Sequence, residues 1–179
     1  YAADNGAVII QCSWGYNSAL ANMMMGYTPG PASEEEWSNL YPLEKEAIDY
    51  FIHNAGSPNG VIEGGIAIFA AGNETYDKSI YPGAYNKYIC VSAMSADYTA
   101  TGYTNYGPGV NICAPGGDDD QGAVMMISSS SVEYANSYGY EYMAGTSMAT
   151  PHVTGCAALA LSYAAKTGKK LTSNQLKNL

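Results

Sequence analysis

The sequence predicts an α/β fold, because three strand-like runs and one long apolar helix stand out in it. Residues 7–12 are mostly apolar and show no clean alternation with polar residues, which is typical of a buried parallel strand. Residues 66–71 and 88–93 predict two further strands. After Gly145 the residues are small and apolar on nearly every side, which predicts a helix buried between other layers.

Length and composition suit one domain. The chain has 179 residues, of which 47% are hydrophobic and 13% charged, as in a compact globular protein with a sizeable core. The formal net charge of -9 argues against nucleic acid or an anionic membrane surface as a partner. No apolar run approaches the roughly 18 residues that span a bilayer. We therefore expect neither a membrane-spanning segment nor a nucleic-acid partner.

At both ends, the sequence begins or stops within a pattern of regular secondary structure. The sequence begins at Tyr1 without a methionine, and residues 1–7 resemble the end of a helix that runs into a strand. It stops at Leu179 within a helical pattern that opens after Thr172 and Ser173. We expect the sequence to be part of a larger protein, and no linker or repeat predicts a second domain within it.

The four cysteines have no metal-ligand spacing. Cys12, Cys90, Cys113 and Cys156 lie in apolar, strand-like or helix-like contexts. Buried free thiols are the preferred interpretation, and two disulfides remain the alternative.

The stretch from residue 17 to residue 42 is irregular. A short helix is predicted from Ser33, because Ser33 and Glu36 have the spacing of a capping box. Three consecutive methionines, residues 23–25, are interpreted as packing residues rather than a recognition patch.

Pro42 opens a better-defined helix, which we expect to end near Ala55, before Gly56. Its predicted apolar stripe comprises Leu43, Ala47, Ile48 and Phe51.

Residues 145–153, with the sequence Gly-Thr-Ser-Met-Ala-Thr-Pro-His-Val, predict a tight turn that delivers a hydroxyl to the start of a helix. Gly145 permits the turn. Ser147 is expected at or near the first helical residue, where free N–H groups favour developing negative charge. Pro151 is expected in the first turn, where a missing N–H is still tolerated. A serine in this position can also be a simple helix cap.

The longer string resembles the nucleophile signature of the subtilisin-like serine proteases, the subtilases, at every position. The nucleophile elbow of the α/β-hydrolases, Gly-x-Ser-x-Gly, is not met, because Ala149 stands where its second glycine is required. The resemblance implies the C-terminal portion of a three-layer α/β fold with a mostly parallel sheet, so that residues 1–179 form a partial peptidase domain. The resemblance also implies that Ser147 is the nucleophile.

Other segments match the family in chain order. Ala-Ala-Gly-Asn-Glu resembles the motif that carries the oxyanion-hole asparagine, here Asn73. An amide N–H donor in that place suits acyl transfer, since the substrate oxygen becomes negative in the transition state. The resemblance also implies that the substrate cleft is lined by Ser13, Trp14, Gly15, Ala71 and Gly72. Residues 17–42 are longer than in compact subtilases, and we interpret them as an insertion beside this cleft.

Ile80 precedes a Tyr-Pro-Gly run and stands where subtilases often have a glycine at the bottom of the main specificity pocket. Its bulk is expected to shorten the pocket and to favour small or medium side chains.

The acidic run at residues 118–120 raises the question of a metal. Three carboxylates could bind calcium through hard oxygen ligands, as subtilases often do. The run matches no family site, so a solvated acidic loop is preferred and no metal ligand is assigned. Residues 121–143 are expected to form loops or a hairpin.

Two members of the subtilase triad are missing from the sequence. The family's Asp-Thr/Ser-Gly and His-Gly-Thr-His motifs, which come earlier in the family's chain order, do not occur here. His53 has no catalytic context, and His152 belongs to the serine motif itself. A serine needs an adjacent base. This polypeptide alone is therefore expected to have at most residual activity, with Asp and His supplied by an upstream part.

The predicted function is that of a serine endopeptidase acting on peptide or protein substrates, with no required cofactor and with calcium possible. An inactive, peptide-binding relative and a non-protease α/β hydrolase remain as alternatives. An extracytoplasmic location follows from the resemblance only.

Overall fold

The computed structural model describes residues 1–56, 60–118, 126–129 and 140–179. The strands, in chain order, are β1 (Ile9–Cys12), β2 (Ile62–Glu63), β3 (Ile66–Ala70), β4 (Ile89–Met94), β5 (Ile112–Pro115), β6 (Met126–Ser129), β7 (Tyr140–Met143) and β8 (Leu171–Thr172). The helices are α1 (Ala19–Met25), α2 (Glu34–Leu40), α3 (Pro42–Asn54), α4 (Thr146–Lys166) and α5 (Ser173–Lys177).

A four-stranded parallel sheet in the order β1-β3-β4-β5 forms the centre of the fold. Every residue of β3 is buried, as expected for a parallel strand covered on both faces. Strand β5 was not predicted from the sequence, because its outer residues Ile112 and Cys113 are exposed and the run is short. The other two sheets are two-stranded pairs, β2 with β8 and β6 with β7.

Helices cover both faces of the sheet. On one face, α4 packs against all four strands, and its Ala157 and Leu161 join the isoleucines of β3 in one apolar cluster. On the other face, Trp37 of α2 and Ile48 of α3 pack with Phe69 in a second cluster. The predicted α/β fold with three layers and a parallel sheet is confirmed.

In the described residues helix α4 is buried on one side only, which differs from the expected burial between layers. Leu159 and Tyr163 are 72% and 67% exposed. The described part of the chain places a sheet under one face of α4 and no layer over the other. Pro151 is the sixth helical residue rather than a first-turn residue, and Ser147 is the second.

Helix α3 begins at Pro42 and ends at Asn54, as predicted. Only Ile48 and Phe51 of the predicted stripe are buried, whereas Leu43 and Ala47 are exposed. The stripe is narrower than expected because only one side of α3 faces the sheet.

The predicted cap of α2 is present: the Glu36 N–H donates to Ser33 Oγ at 3.1 Å. The Glu36 carboxylate accepts from the Ala32 N–H rather than from that of Ser33, so the capping box is not closed. Helix α1 was not predicted. It carries the three methionines at residues 23–25, which are 66–82% exposed, so their interpretation as packing residues is wrong.

The cysteines are free thiols, which agrees with the preferred interpretation, but only Cys90 is fully buried. Burial raises the pKa of Cys90 to about 12 and that of the half-buried Cys12 to about 11. Cys113 and Cys156 are exposed, contrary to expectation, because β5 lies at the sheet edge and Cys156 lies on the uncovered face of α4.

The prediction that the acidic run at residues 118–120 is a solvated loop is wrong for Asp118. Its side chain is buried, at 4% exposed, and accepts a hydrogen bond from the Gly102 N–H. Asp119 and Asp120 lie outside the described residues, as does most of the stretch 121–143. The two described ends of that stretch pair as antiparallel strands β6 and β7, which agrees with a hairpin. Within the described ranges no helix combines the length and hydropathy needed to cross a membrane.

Candidate active site

The candidate site lies where the carboxyl ends of β1 and β3 meet the start of α4. Ser13 follows β1, Asn73 follows β3 after a two-residue turn, and Ser147 lies in the first turn of α4. Because β1 and β3 are parallel neighbours, their following residues converge at one edge of the sheet. A pocket of about 290 Å³ lies between these three segments. All the predicted cleft and catalytic residues except Ala71 line this pocket. They are Ser13, Trp14, Gly15, Gly72, Asn73, Ile80 and Ser147.

Ser147 is half-buried, and its hydroxyl donates to the Ser13 carbonyl over a long 3.3 Å. Its backbone N–H has no acceptor within the described part of the chain, as expected for a first-turn amide. The turn before it depends on Gly145, which has φ 154° and whose N–H donates to the Gly116 carbonyl at 2.9 Å. A residue with a side chain rarely adopts that conformation. The turn therefore places Ser147 in the lining of the pocket, with an amide that has no acceptor in the described residues.

Asn73 is held by the residue that precedes Ser147. Its side-chain oxygen accepts from the Thr146 N–H and from the Thr146 hydroxyl, both at 2.8 Å. Because a backbone N–H can only donate, these bonds identify the accepting atom of Asn73 as the oxygen and orient its amide. The amide nitrogen of Asn73 has no partner among the described residues. The side chain is thus fixed with its donor group unused.

The loop that carries Asn73 is anchored by Asn105, which is fully buried. The Asn105 side-chain oxygen accepts from the N–H groups of Glu74 and Tyr76 at 2.9 and 3.0 Å. Its side-chain nitrogen donates to the Ala71 carbonyl at 3.0 Å. A side chain at Gly72, where φ is 105°, would collide with that nitrogen. Ala71, predicted in the cleft lining, is buried and contributes its backbone to this anchor.

Asn105 and Thr146 hold the candidate site in place, and sequence reasoning missed both. Thr146 lies within the quoted motif, and its position next to the serine is the signal that could have identified it. Asn105 is separated from its partners by about thirty residues. No local pattern points to such a long-range anchor.

Ile80 fills the space between the two segments that flank the pocket. A Cβ atom added to Gly15 would lie 2.7 Å from Ile80 Cδ1, and one added to Gly72 would lie 3.2 Å from it. The isoleucine thus reaches both backbones.

Residues of the stretch 17–42 also line the pocket. Ala21, Met25 and Tyr27 contribute to it. The stretch is tied to the asparagine loop, because the Ser18 N–H donates to both carboxylate oxygens of Glu74, at 3.1 and 3.3 Å. The Glu74 carboxylate therefore faces this stretch.

Both histidines of the sequence bond to a carbonyl on their own helix. His53 contacts the Asp49 carbonyl through Nδ1 at 2.6 Å, and His152 contacts the Met148 carbonyl at 2.8 Å. Neither is bonded to Ser147, whose hydroxyl contacts Ser13. The described residues thus place no histidine in hydrogen-bond contact with the Ser147 hydroxyl.

The described carboxylates do not gather into a cluster that identifies a calcium site. Within the described ranges no three His, Cys, Asp or Glu side chains cluster as metal ligands do. The Asp97 carboxylate is occupied by the Ser95 and Thr99 hydroxyls, which lower its pKa to about 2.

A sequence profile of the subtilase family matches residues 1–179. The chain belongs to the subtilase family. The resemblance of its serine motif to subtilases is thereby confirmed.

Named relatives of this subtilase are proteases. The chain is 37% identical over 121 residues to the extracellular basic protease of Dichelobacter nodosus. The aligned part covers 65% of this chain and 19% of that protein. The chain is 32% identical over 192 residues to a calcium-dependent protease of Nostoc sp., covering 90% and 25% of the two chains. Among solved structures, the self-cleaved protease domain of PatA superposes with a TM-score of 0.63 at 25% identity, covering 99% of this chain and 54% of that one. The chain thus spans at most about half the length of these proteins.

Proposed function

We propose that the whole protein is a subtilisin-like serine endopeptidase, and that this chain supplies its nucleophile and its oxyanion hole. The observation that carries the proposal is the pairing of two unused donors beside one hydroxyl. Asn73 and Ser147 both line the pocket, and neither the Asn73 amide nitrogen nor the Ser147 N–H has a partner in the described residues.

Ser147 attacks the carbonyl carbon of the scissile peptide bond. A histidine from another part of the protein takes the Ser147 proton and returns it to the leaving amine, and an aspartate orients that histidine. As the carbonyl oxygen becomes negative, it accepts hydrogen bonds from the Asn73 amide and the Ser147 N–H. Since Thr146 already holds Asn73, the donor needs no reorganisation at the moment of reaction.

The substrate lies along the segments that flank the pocket. Ser13, Trp14 and Gly15 form one wall, and Gly72 the other. Trp14 is 46% exposed and packs edge-on against Phe69, with ring centroids 5.3 Å apart, which holds it as a rigid apolar surface. Ile80 limits the depth between Gly15 and Gly72, so the side chain before the scissile bond is small or medium in size.

The triad partners come from an upstream part of the same domain, of which residues 1–179 are the later portion. The sequence contains neither of the family motifs for these partners. The exposed apolar face of α4, with Leu159 and Tyr163, supports a further layer that covers it. The greater length of the relatives agrees with this.

An inactive, peptide-binding protein is the less favoured alternative, because the relatives are named as proteases and the donor pair is intact. A non-protease hydrolase is disfavoured by membership of the subtilase family. The name of the Dichelobacter relative supports an extracytoplasmic location. The name of the Nostoc relative supports a role for calcium elsewhere in the protein.

Hydrolysis of a fluorogenic peptide library by the full-length gene product tests the proposal. We expect cleavage that is lost in Ser147→Ala and kept in Ser38→Ala, whose hydroxyl bonds to a carbonyl of α2 away from the pocket. Cleavage that persists in Ser147→Ala, or no cleavage by folded and processed protein, would overturn it.

A further inference from the structure

Pro151 removes a hydrogen bond from the nucleophile's own backbone. In a regular helix the N–H of residue 151 donates to the carbonyl of residue 147, four residues earlier. Proline has no N–H, and its ring also crowds that carbonyl. Pro151 lies inside α4, so the Ser147 carbonyl has no helical partner. A carbonyl left without a partner costs free energy wherever water does not replace the bond.

The hydroxyl of Ser13 takes the place of the missing bond. It donates to the Ser147 carbonyl at 2.7 Å, while the Ser147 hydroxyl donates to the Ser13 carbonyl at 3.3 Å. The two serines are 134 positions apart in the chain, so this reciprocal pair joins the end of β1 to the start of α4. It is the bond that fixes the peptide group adjoining the nucleophile.

The side chain of Gln11 determines the direction of the Ser13 proton. Its amide nitrogen donates to Ser13 Oγ. Because that oxygen accepts from Gln11, its own proton is free to point at the Ser147 carbonyl, which can only accept. Gln11 lies on β1 and Ser13 follows the strand directly. Because the two residues are two positions apart in extended chain, their side chains lie on the same side of it.

We propose that Gln11 and Ser13 are positioning residues for the nucleophile, and that the Ser13 hydroxyl substitutes for the helical hydrogen bond that Pro151 removes from Ser147. The proposal rests on the function proposed above. It adds a role to Ser13 that is distinct from lining the cleft. The two side chains act through the Ser147 carbonyl, and neither contacts the Ser147 hydroxyl.

A double-mutant cycle in the full-length protein tests this inference. Ser13→Ala is expected to lower kcat about tenfold with little change in KM. A loss of this size is expected because the substitution removes one hydrogen bond and leaves the Ser147 carbonyl without a partner. Pro151→Ala restores a backbone N–H for the Ser147 carbonyl. In the Pro151→Ala background, the loss caused by Ser13→Ala is therefore expected to shrink to about twofold or less. A purely structural role of Ser13, or a role in substrate binding alone, predicts no such rescue.

Gln11→Glu supplies a second test with nearly unchanged shape. Its carboxylate only accepts, so it draws the Ser13 proton away from Ser147. We expect a fall in kcat similar to that of Ser13→Ala, and no further fall when the two are combined. Ser38→Ala, which removes a 2.7 Å bond from a hydroxyl to a helical carbonyl in α2, is the matched control and is expected to keep wild-type kcat.

Rates are normalised to active enzyme by titration with a fluorophosphonate, so that misfolded protein does not count. Equal losses from Ser13→Ala in the wild-type and Pro151→Ala backgrounds would overturn the inference while Ser147→Ala still abolished cleavage. Cleavage that survived Ser147→Ala would instead overturn the proposed function.

Discussion

The side-chain oxygen of Asn73 accepts two hydrogen bonds from Thr146, one from the backbone N–H and one from the hydroxyl, each at 2.8 Å. The residue before the nucleophile therefore orients the side chain that we propose as oxyanion donor. Both contacts come from one residue at the start of α4, so the nucleophile and the donor are positioned together.

Removal of the Asn73 donor tests this arrangement. Asn73→Leu is expected to lower kcat by about 10²–10³ with KM nearly unchanged, because the donor is used when the oxygen becomes negative. Thr146→Val keeps the backbone N–H and removes only the hydroxyl, so a loss of about fivefold is expected. Thr154→Val removes a hydroxyl bond to the Thr150 carbonyl further along α4 and is the control for steady-state kinetics. Equal effects of the two threonine variants would contradict the account.

Graded truncation of Ile80 tests the pocket depth. Ile80→Val, Ile80→Ala and Ile80→Gly remove the side chain that reaches Gly15 and Gly72. Cleavage profiling is expected to show a stepwise shift towards larger residues before the scissile bond. Each methylene-sized step is expected to change the relative kcat/KM by at most about 10–200-fold. A wild-type preference for large aromatic residues would contradict the proposed pocket.

The anchoring role of Asn105 predicts a loss of stability. Asn105→Ala leaves the N–H groups of Glu74 and Tyr76 and the Ala71 carbonyl without their partner. At about 1 kcal/mol for each bond, we expect the free energy of unfolding to fall by about 2–4 kcal/mol. Urea denaturation in the Ser147→Ala background, which prevents self-digestion, measures it. Asn54→Ala, at an exposed helical position, is expected to change it by less than about 0.5 kcal/mol.

Burial of Cys90 predicts a loss of stability in alkali. Its pKa is raised from 9.0 to about 12 in the folded protein, so above pH 9 the unfolded chain loses the proton first. The protonated Cys90 thiol contributes its full stability below pH 9, and this stability is lost as the pH rises towards 12. The loss in the free energy of unfolding amounts to about 1 kcal/mol at pH 10. The fall in Tm between pH 8 and pH 10, measured in the Ser147→Ala background, is expected to be smaller in Cys90→Ala. Cys113→Ala, at an exposed thiol, serves as the control, and an unchanged slope in Cys90→Ala would refute the attribution.

Much of the site was predictable because its residues belong to contiguous motifs. The serine turn, the Ala-Ala-Gly-Asn segment and the strands before them are local in sequence, and parallel pairing of β1 with β3 brings them to one edge. The exposure of Leu43 and of the methionines at residues 23–25 was not predictable, because it depends on which face of each helix meets the sheet. The anchors Asn105 and Ser13 act on residues far along the chain, and only the tertiary structure brings these pairs into contact.

Covalent labelling tests the central claim, that Ser147 is an activated nucleophile in a site completed by another part of the protein. The full-length gene product and residues 1–179 alone are each treated with a fluorophosphonate probe beside their Ser147→Ala variants, and the adduct is located by mass spectrometry. We expect an adduct on Ser147 of the full-length protein that is absent from its Ser147→Ala variant, and at most a trace on residues 1–179 alone. No adduct on folded, processed full-length protein would contradict the account and favour the inactive, peptide-binding alternative.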